Sequence, residues 1–253
     1  VDQGYEPAGA IGLQVTLPQP RYPGPAARLA FHDRLLERLA GTSGVSVGGV
    51  APTVPARQAP GRFDFRSGGL PADRDPFSMH VVDVHMVTEG FIEAMGLRVI
   101  AGRTFRATDT SGAEPVMVIS QSLARQEFAG RNPVGELLYS GTGNRRVVGV
   151  VADVRPAAQG SAGAEIKPSA LLPLRQNADV LEWFSSVTVM ARGANPRGPA
   201  AGVRALVLSL DPEMPPFNVR RLDEDVSRLV AGPRFSAFVL SVFGPTAFVM
   251  API

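Results

Sequence analysis

Two histidines and an aspartate lie close together in the segment MHVVDVHMVT, where they raise the possibility of a metal site. His80, Asp83 and His85 offer ring nitrogens and a carboxylate, which are common zinc ligands. The segment alternates in the manner of a strand, so Asp83 and His85 share one face and His80 points to the other. Two ligands on one face fall short of the three or four that zinc requires. We therefore favour an ordinary strand. A third histidine, His32, lies on a predicted helix without a predicted partner.

The segment SGTGNRR, residues 140–146, contains glycines and basic residues that could surround a phosphate group. It lacks the Gly-Lys-Ser/Thr ending of a P-loop and the third glycine of the dinucleotide fingerprint. It also runs into a predicted strand rather than a helix N-terminus, where an anion would meet free N–H groups. Gly-Thr-Gly-Asn is typical of a turn, so the sequence predicts a hairpin here.

Two further groups resemble parts of catalytic sites but lack the rest of one. Ser120 and Ser122 have no Gly-x-Ser-x-Gly elbow around them, and Ser120 is better placed as the N-cap of a following helix. Asp223, Glu224 and Asp225 form an acidic cluster that fits the first turn of a helix, where carboxylates complement the dipole. We predict no catalytic, cofactor-binding or metal-binding residues, and no cofactor.

Composition narrows the function classes further. The chain has 253 residues, of which 45% are hydrophobic and 19% charged, and a formal net charge of +2. It contains no cysteine, which excludes disulfides and thiolate sites. Its basic residues are scattered arginines, with Lys167 as the only lysine, and they form no basic stripe with interleaved aromatic residues. Nucleic-acid binding is therefore not expected.

The elements that would position these residues include two similar units near the ends of the chain. The first predicts a strand at 11–17, a helix at 26–39 and a strand at 45–50. The second predicts a strand at Ser186–Arg192, a helix at 199–210 and a strand at 217–222. Neither β-α-β unit can bury its sheet alone, so we expect the two to pack together with the middle of the chain as an insertion.

The middle of the chain predicts an α+β insertion without the regular alternation of a doubly wound fold. The proline-, glycine- and arginine-rich segment 51–77 is interpreted as a long loop. The elements predicted after it are strands at 79–88, 97–105, 115–120 and 145–154, a short helix closed by Gly96, a helix at 121–128, and a turn leading into a strand near 137.

Residues 235–253 carry no charge and could be a buried core helix, a signal or anchor, or the beginning of a membrane span. A core helix would normally show a polar face, and this run has only Ser236, Ser241 and Thr246. About twenty apolar residues suffice to span a bilayer, and Pro245 is tolerable there. We therefore expect a truncated transmembrane helix, although Arg228 and Arg234 before it conflict mildly with the positive-inside rule.

Several sequence segments resemble those of one protein family. They are FIEAMGLRVIAGRTFRATD, PVMVISQSLARQEFAGRNPVGELL, RRVVGVVADVR, VRALVLSLDPEMPPFNVRRLDEDV and PRFSAFVLSVFG. Together they resemble the extracytoplasmic domain of MacB-like, FtsX-type ABC transporter permeases, in particular the bacterial group of predicted permeases with two such domains. The prolines Pro245 and Pro252 depart from the continuous membrane helix of that family.

The resemblance implies an α+β fold with a porter-like subdomain of two β-α-β units, an inserted α+β (Sabre-like) subdomain, and the start of a transmembrane helix. It divides the chain into 1–78 (first porter-like half plus loop), 79–175 (insertion), 176–225 (second half) and 226–253 (stalk and truncated span).

The implied function is non-catalytic transmission of an ATP-driven conformational change across the bacterial inner membrane to a periplasmic partner or efflux substrate. The implied partners are a cytoplasmic ABC ATPase, a second permease copy or domain, and a periplasmic adaptor. Two alternatives remain from the residues alone. One is a free-standing periplasmic small-molecule-binding protein whose apolar tail is a core helix. The other is a hydrolase using Asp223–Asp225 or the pair His80 and His85.

Overall fold

The fold is mixed α+β with two sheets, as predicted. The computed structural model describes residues 3–55, 61–67, 80–140, 143–155, 166–195 and 198–224. In chain order the elements are β1 (Ala10–Thr16), α1 (Gly24–Leu39), β2 (Val47–Ala51), β3 (Gly61–Ser67), β4 (His80–Val87), α2 (Phe91–Met95), β5 (Val99–Gly102), β6 (Val116–Ser120), α3 (Gln121–Phe128), β7 (Leu137–Ser140), β8 (Gly143–Val151), β9 (Ser169–Pro173), β10 (Ser186–Arg192), α4 (Gly198–Leu210) and β11 (Phe217–Arg221). Two 3-10 turns, Leu174–Gln176 and Ala178–Glu182, precede β10.

The small sheet has the strand order β11-β1-β10-β2, and all its neighbours are antiparallel. β1 and β2 are therefore parallel to each other with β10 between them, and β10 and β11 are parallel with β1 between them. The strands of the two predicted β-α-β units therefore alternate in the sheet. β1 of the first unit pairs between the two strands of the second unit, and β10 of the second unit pairs between the two strands of the first. This confirms that neither unit closes its sheet alone.

Alternation along the strands places the core of the small sheet on one face. Ile11, Leu13 and Val15 are fully buried there together with residues of α1 and α4, among them Phe31 and Val203. We call this the helix face of the small sheet. The opposite face, which we call the second face, carries Ala10 and Met190, which pack in a separate apolar cluster that includes α2.

The large sheet has the order β5-β8-β6-β9-β4-β3-β7, and β7 also pairs with β8. Six of its strands, from β8 round to β7, therefore close into a ring. β5 pairs with the later part of β8, at Gly149–Val151, on the same edge that β7 occupies earlier along the strand. β6 runs parallel to β8, and β4 runs parallel to β9. Phe65, Met117 and Leu138 are fully buried and belong to the same apolar cluster as the helix face of the small sheet.

The loop interpretation of residues 51–77 was wrong in part. Gly61–Ser67 forms β3, which pairs with β4 and with β7. The alternation of GRFDFRS was hidden by the proline- and glycine-rich residues around it. One of its partners, β4, is the next strand, whereas the other, β7, lies more than seventy residues away. β9 was not predicted, and β5 is shorter than the predicted strand at 97–105. The predicted hairpin at 140–146 is confirmed by the pairing of Ser140 with Gly143.

The apolar run at 235–253, where the sequence predicts a membrane span, lies outside the described residues. Among the residues that are described, no helix combines the length and apolar character of a membrane span.

Candidate functional site

The short helix α2 lies at the point where the two sheets meet. Gly90 and Gly96 bracket it in the left-handed conformation, and the Gly96 N–H closes its C-terminus on Glu93 and Ile92 carbonyls. Phe91 is fully buried, and α2 packs on β2 and β10 of the small sheet. Since α2 connects β4 to β5 of the large sheet, it joins both sheets. We call α2 and the side chains that tie it the junction.

Arg192, the last residue of β10, is the first tie of the junction. Its Nε donates to the carbonyls of Glu93 and Ala94 at 3.2 Å, where α2 ends. Its two terminal nitrogens donate to the carbonyls of Ala8 and Glu6 in the segment before β1. Burial lowers the pKa of Arg192. The guanidinium satisfies carbonyls at a helix C-terminus, where positive charge also complements the helix dipole.

Arg175 is the second tie. It follows β9 and forms ion pairs with Asp33 of α1 at 2.9 Å and with Glu89, just before α2, at 3.0 Å. The hydrogen bond to Glu89, with the charges of both carboxylates, raises the pKa of Arg175. One partly buried arginine thereby connects a helix of the small sheet with two segments of the large sheet.

Strands β2 and β4 are joined directly by hydrogen bonds. The Val50 N–H donates to the Thr88 hydroxyl at 2.7 Å, and the Thr88 N–H donates to the Val50 carbonyl at 2.9 Å. Further along, the Thr53 hydroxyl lies 2.9 Å from Nδ1 of His85. Burial lowers the pKa of His85 to about 4, so its ring is neutral at pH 7.

Arg28 and His32 are buried side by side in α1. Arg28 donates to the carbonyls of Tyr22, Leu181 and Phe184, and thereby holds the 3-10 turn before β10 against α1. Neither ring nitrogen of His32 has a hydrogen-bond partner among the described residues. Burial, assisted by the charge of Arg28, lowers the pKa of His32 to about 4.

The structure does not assemble the predicted zinc ligands into a site. The side chain of His80 lies outside the described residues, and His85 is engaged with Thr53. Within the described part of the chain, no group of three acidic or histidine side chains is placed to hold a metal ion.

The remaining candidate residues have structural partners. Ser120 caps α3 as predicted, accepting from the Leu123 N–H at 3.3 Å, and also accepts from the Ser169 N–H at 2.9 Å. The Ser122 N–H donates to Asp153 at 2.7 Å. In the acidic cluster, Arg221 forms ion pairs with Asp223 and Glu224, and Asp225 lies outside the described residues.

The residues of the junction were missed from the sequence. Arg175 and Arg192 were counted as scattered arginines, because a lone arginine carries no local signal of what it will contact. The arrangement found in the described residues has no nucleophile–base pair and no cofactor cradle. It is a set of ties between segments far apart in the sequence.

Comparison with known proteins gives consistent matches. The sequence profile of the MacB-like periplasmic core domain matches residues 8–206. The periplasmic region of MacB from Actinobacillus actinomycetemcomitans has a TM-score of 0.53 at 16% identity, covering 90% of this chain and 94% of that chain. The extracellular domain of the noncanonic ABC-type transporter YknZ from Gram-positive bacteria has a TM-score of 0.49 at 15% identity, covering 82% and 100%. No curated protein matches the sequence. The profile covers most of the chain, and the chain belongs to the family of MacB-like periplasmic core domains.

Proposed function

We propose that this chain is the extracytoplasmic domain of an ABC transporter permease and that it passes an ATP-driven conformational change to a periplasmic partner or an efflux substrate. The observation that carries the proposal is the register of β1 with β11, in which Ile11 lies opposite Arg221. The chain therefore enters the small sheet and leaves it at the same end. A domain inserted between two membrane segments needs this arrangement, because both segments must return to one membrane.

The proposed mechanism is non-catalytic. A displacement applied at the shared end of β1 and β11 reaches the large sheet through the junction, where Arg192 holds α2 and Arg175 holds α1. Packed cores deform little, so such a unit moves as one body. This supports transmission of movement rather than chemistry within the domain.

The division of the chain also remains a proposal. We propose porter-like halves at 1–78 and 176–225, a Sabre-like insertion at 79–175, and a stalk leading into a membrane helix at 226–253. Within the first segment, β3 contributes to the large sheet. The proposed partners are a cytoplasmic ABC ATPase, a second permease copy or domain, and a periplasmic adaptor, at the inner membrane of a bacterium.

Cysteine labelling tests the location. The chain has no cysteine, so Gln19→Cys, at an exposed position, introduces a single thiol. A membrane-impermeant maleimide should label it in intact cells after opening of the outer membrane alone. Val15→Cys is the control, because Val15 is fully buried and should react only after denaturation. Labelling of Gln19→Cys that requires rupture of the inner membrane would contradict an extracytoplasmic domain.

Copurification tests the partner. A tagged copy of the full permease chain should retain an ABC ATPase after mild detergent extraction. A chain released from cells without detergent, and purified alone, would instead favour the free-standing binding protein.

A further inference from the structure

The most exposed large apolar side chain in the described part of the chain is that of Trp183, which is 82% exposed. It is also the only tryptophan in the sequence. Tryptophan is highly buried on average, and its indole N–H usually finds a hydrogen-bond partner. Among the described residues, the ring of Trp183 has no aromatic or cationic partner and its N–H makes no hydrogen bond. A tryptophan in this state is a candidate contact for another molecule.

Trp183 follows a 3-10 turn that is held from its inner side. We call residues 178–184 the Trp183 turn. Leu181 is fully buried where the turn packs on α1. The guanidinium of Arg28 donates to the carbonyls of Leu181 and Phe184, one on each side of Trp183. The backbone that presents the ring is therefore ordered before a partner arrives, which lowers the entropic cost of binding.

The outer side chains of the Trp183 turn form two columns. In a 3-10 helix, side chains three positions apart lie above one another. Asp179 and Glu182 have this spacing, and both are exposed. Val180 and Trp183 form the neighbouring column, because the Trp183 N–H donates to the Val180 carbonyl at 3.1 Å and so continues the turn. An acidic column therefore lies beside an apolar one.

The two carboxylates of the acidic column have no ion pair or hydrogen bond with another described residue. Arg28, which is 4% exposed, lies on the inner side of the turn and directs its donors at backbone carbonyls. Asp211 and Glu213, by contrast, both form ion pairs with Arg21. The Trp183 turn therefore presents two negative charges without a partner next to an exposed aromatic ring.

We propose that the Trp183 turn is the docking point for a partner protein that presents arginine. A guanidinium stacks on the face of an indole ring and also pairs with carboxylates, so arginine complements both columns. Tryptophan and arginine are enriched among the residues that contribute most to binding at protein interfaces. The carboxylates disfavour a membrane as the occupant, because membrane surfaces that carry anionic lipids would repel them.

The place of the turn in the small sheet agrees with a partner protein. Ile11 and Arg221 pair at the end where the chain enters and leaves the sheet, whereas Thr16 and Ser186 pair at the other end. The Trp183 turn comes just before Ser186, so it lies at this second end. The docking point specifies the chemistry of the periplasmic partner and rests on the proposed function, in which this end faces away from the membrane.

Fluorescence of Trp183 tests the docking point directly, because no other tryptophan in the chain contributes to the signal. In maltoside detergent, the free chain should emit as a water-exposed tryptophan. The peptide acetyl-Arg-Leu-Arg-amide should change this emission saturably, with a dissociation constant in the millimolar range, as expected of a small ligand at an exposed site. The same peptide with citrulline in place of both arginines keeps the shape without the charge. It should bind on the order of tenfold more weakly.

Variants of the acidic column separate docking from nonspecific quenching. Glu182→Gln should weaken binding of the arginine peptide about threefold, and the double variant with Asp179→Asn about tenfold. Glu37→Gln removes a charge at an exposed position of α1 and should leave binding unchanged. Circular dichroism verifies that each variant is folded.

Four results would overturn the proposal: emission of a shielded tryptophan in the free chain, no response to the arginine peptide, equal binding of the citrulline peptide, or unchanged binding by the folded double variant. Phosphatidylglycerol added to the micelles should leave the emission unchanged, and a blue shift would instead identify lipid as the occupant. These outcomes concern the docking point alone, since cysteine labelling tests the extracytoplasmic location separately.

Discussion

Replacing Gly49 with alanine should force α2 away from the small sheet. A Cβ at position 49 would lie 2.4 Å from the Phe91 nitrogen and 2.5 Å from its Cα, whereas ordinary contact begins at 3.4 Å. The atoms it meets belong to the backbone, so no side-chain rotation relieves the clash. The start of α2 must therefore withdraw by about 1 Å.

The cost of this movement follows from what α2 buries. Phe91, Ile92 and Met95 are all at most 1% exposed, and a short helix cannot shift one of them without shifting the others. Overpacking of a core costs about 1–3 kcal/mol, and backbone contact favours the upper end of that range. For a chain of this size, about 3 kcal/mol corresponds to a fall in melting temperature of roughly 6–12 °C.

Thermal unfolding followed by circular dichroism at a fixed scan rate measures the effect. Gly112→Ala is the matched control, since nothing lies within 4 Å of the added Cβ and its backbone angle is not restricted to glycine. The control should melt within about 2 °C of the parent chain, as expected for a surface substitution away from special features. If Gly49→Ala melted with the control, α2 would not pack against β2 as described, and the account of the junction would fail.

Three other perturbations have defined outcomes. Because burial lowers the pKa of both His32 and His85 to about 4, the unfolded chain binds more protons below pH 6.5; the free energy of unfolding should fall between pH 6.5 and 4 by on the order of 3 kcal/mol per histidine. Urea unfolding at pH 7.5 and 5 should show about 2 kcal/mol of this fall for each histidine. His32→Leu should reduce the difference between the two pH values and raise the free energy of unfolding at pH 7.5 by about 1 kcal/mol, since it removes a ring without described partners. An unchanged pH dependence in His32→Leu would refute the assignment. Arg192→Met should lower the free energy of unfolding by about 2–4 kcal/mol in the same urea assay, because charged hydrogen bonds are lost. Arg204→Met, at an exposed position, is the control and should have a negligible effect. Ser120→Ala should lower the free energy of unfolding by about 1–2 kcal/mol, because the hydroxyl caps α3 and also accepts from the Ser169 N–H. An unchanged free energy of unfolding would mean that water replaces both hydrogen bonds.

The elements near the two ends of the chain could be predicted because their signals are local. α1 and α4 show apolar residues on one face, and β10 alternates from Ser186 to Val189. The interleaving of the two units could be anticipated only in outline, since strand order depends on contacts between segments more than a hundred residues apart. β3 shows where prediction from local sequence fails. Phe63 and Phe65 alternate with polar residues as in a strand, but the glycine and proline residues nearby favoured a loop.

The candidate sites show a different limit. The absence of catalytic motifs was visible from spacing alone, and Ser120 was predicted correctly because an N-cap is recognised from its immediate neighbours. The hydrogen bond from Asn218 to Gln14 could not be predicted, because it depends on a bulge in β11 that brings together two residues more than two hundred positions apart. A register shift leaves no mark in either strand's own sequence.

Three arginines have contacts that the composition alone did not indicate. The sequence shows only that the arginines are scattered, yet Arg28, Arg175 and Arg192 each bridge segments far apart in sequence. The planar guanidinium offers five donors in a fixed fork, so one side chain can hold several carbonyls at once, whereas lysine is a compact point charge. Arg192 uses this property fully, because its donors reach carbonyls both of α2 and of the segment that leads into β1. Lysine at position 192 would keep the charge and lose most of these bonds, so the ties of the junction depend on the geometry of the side chain rather than on its charge.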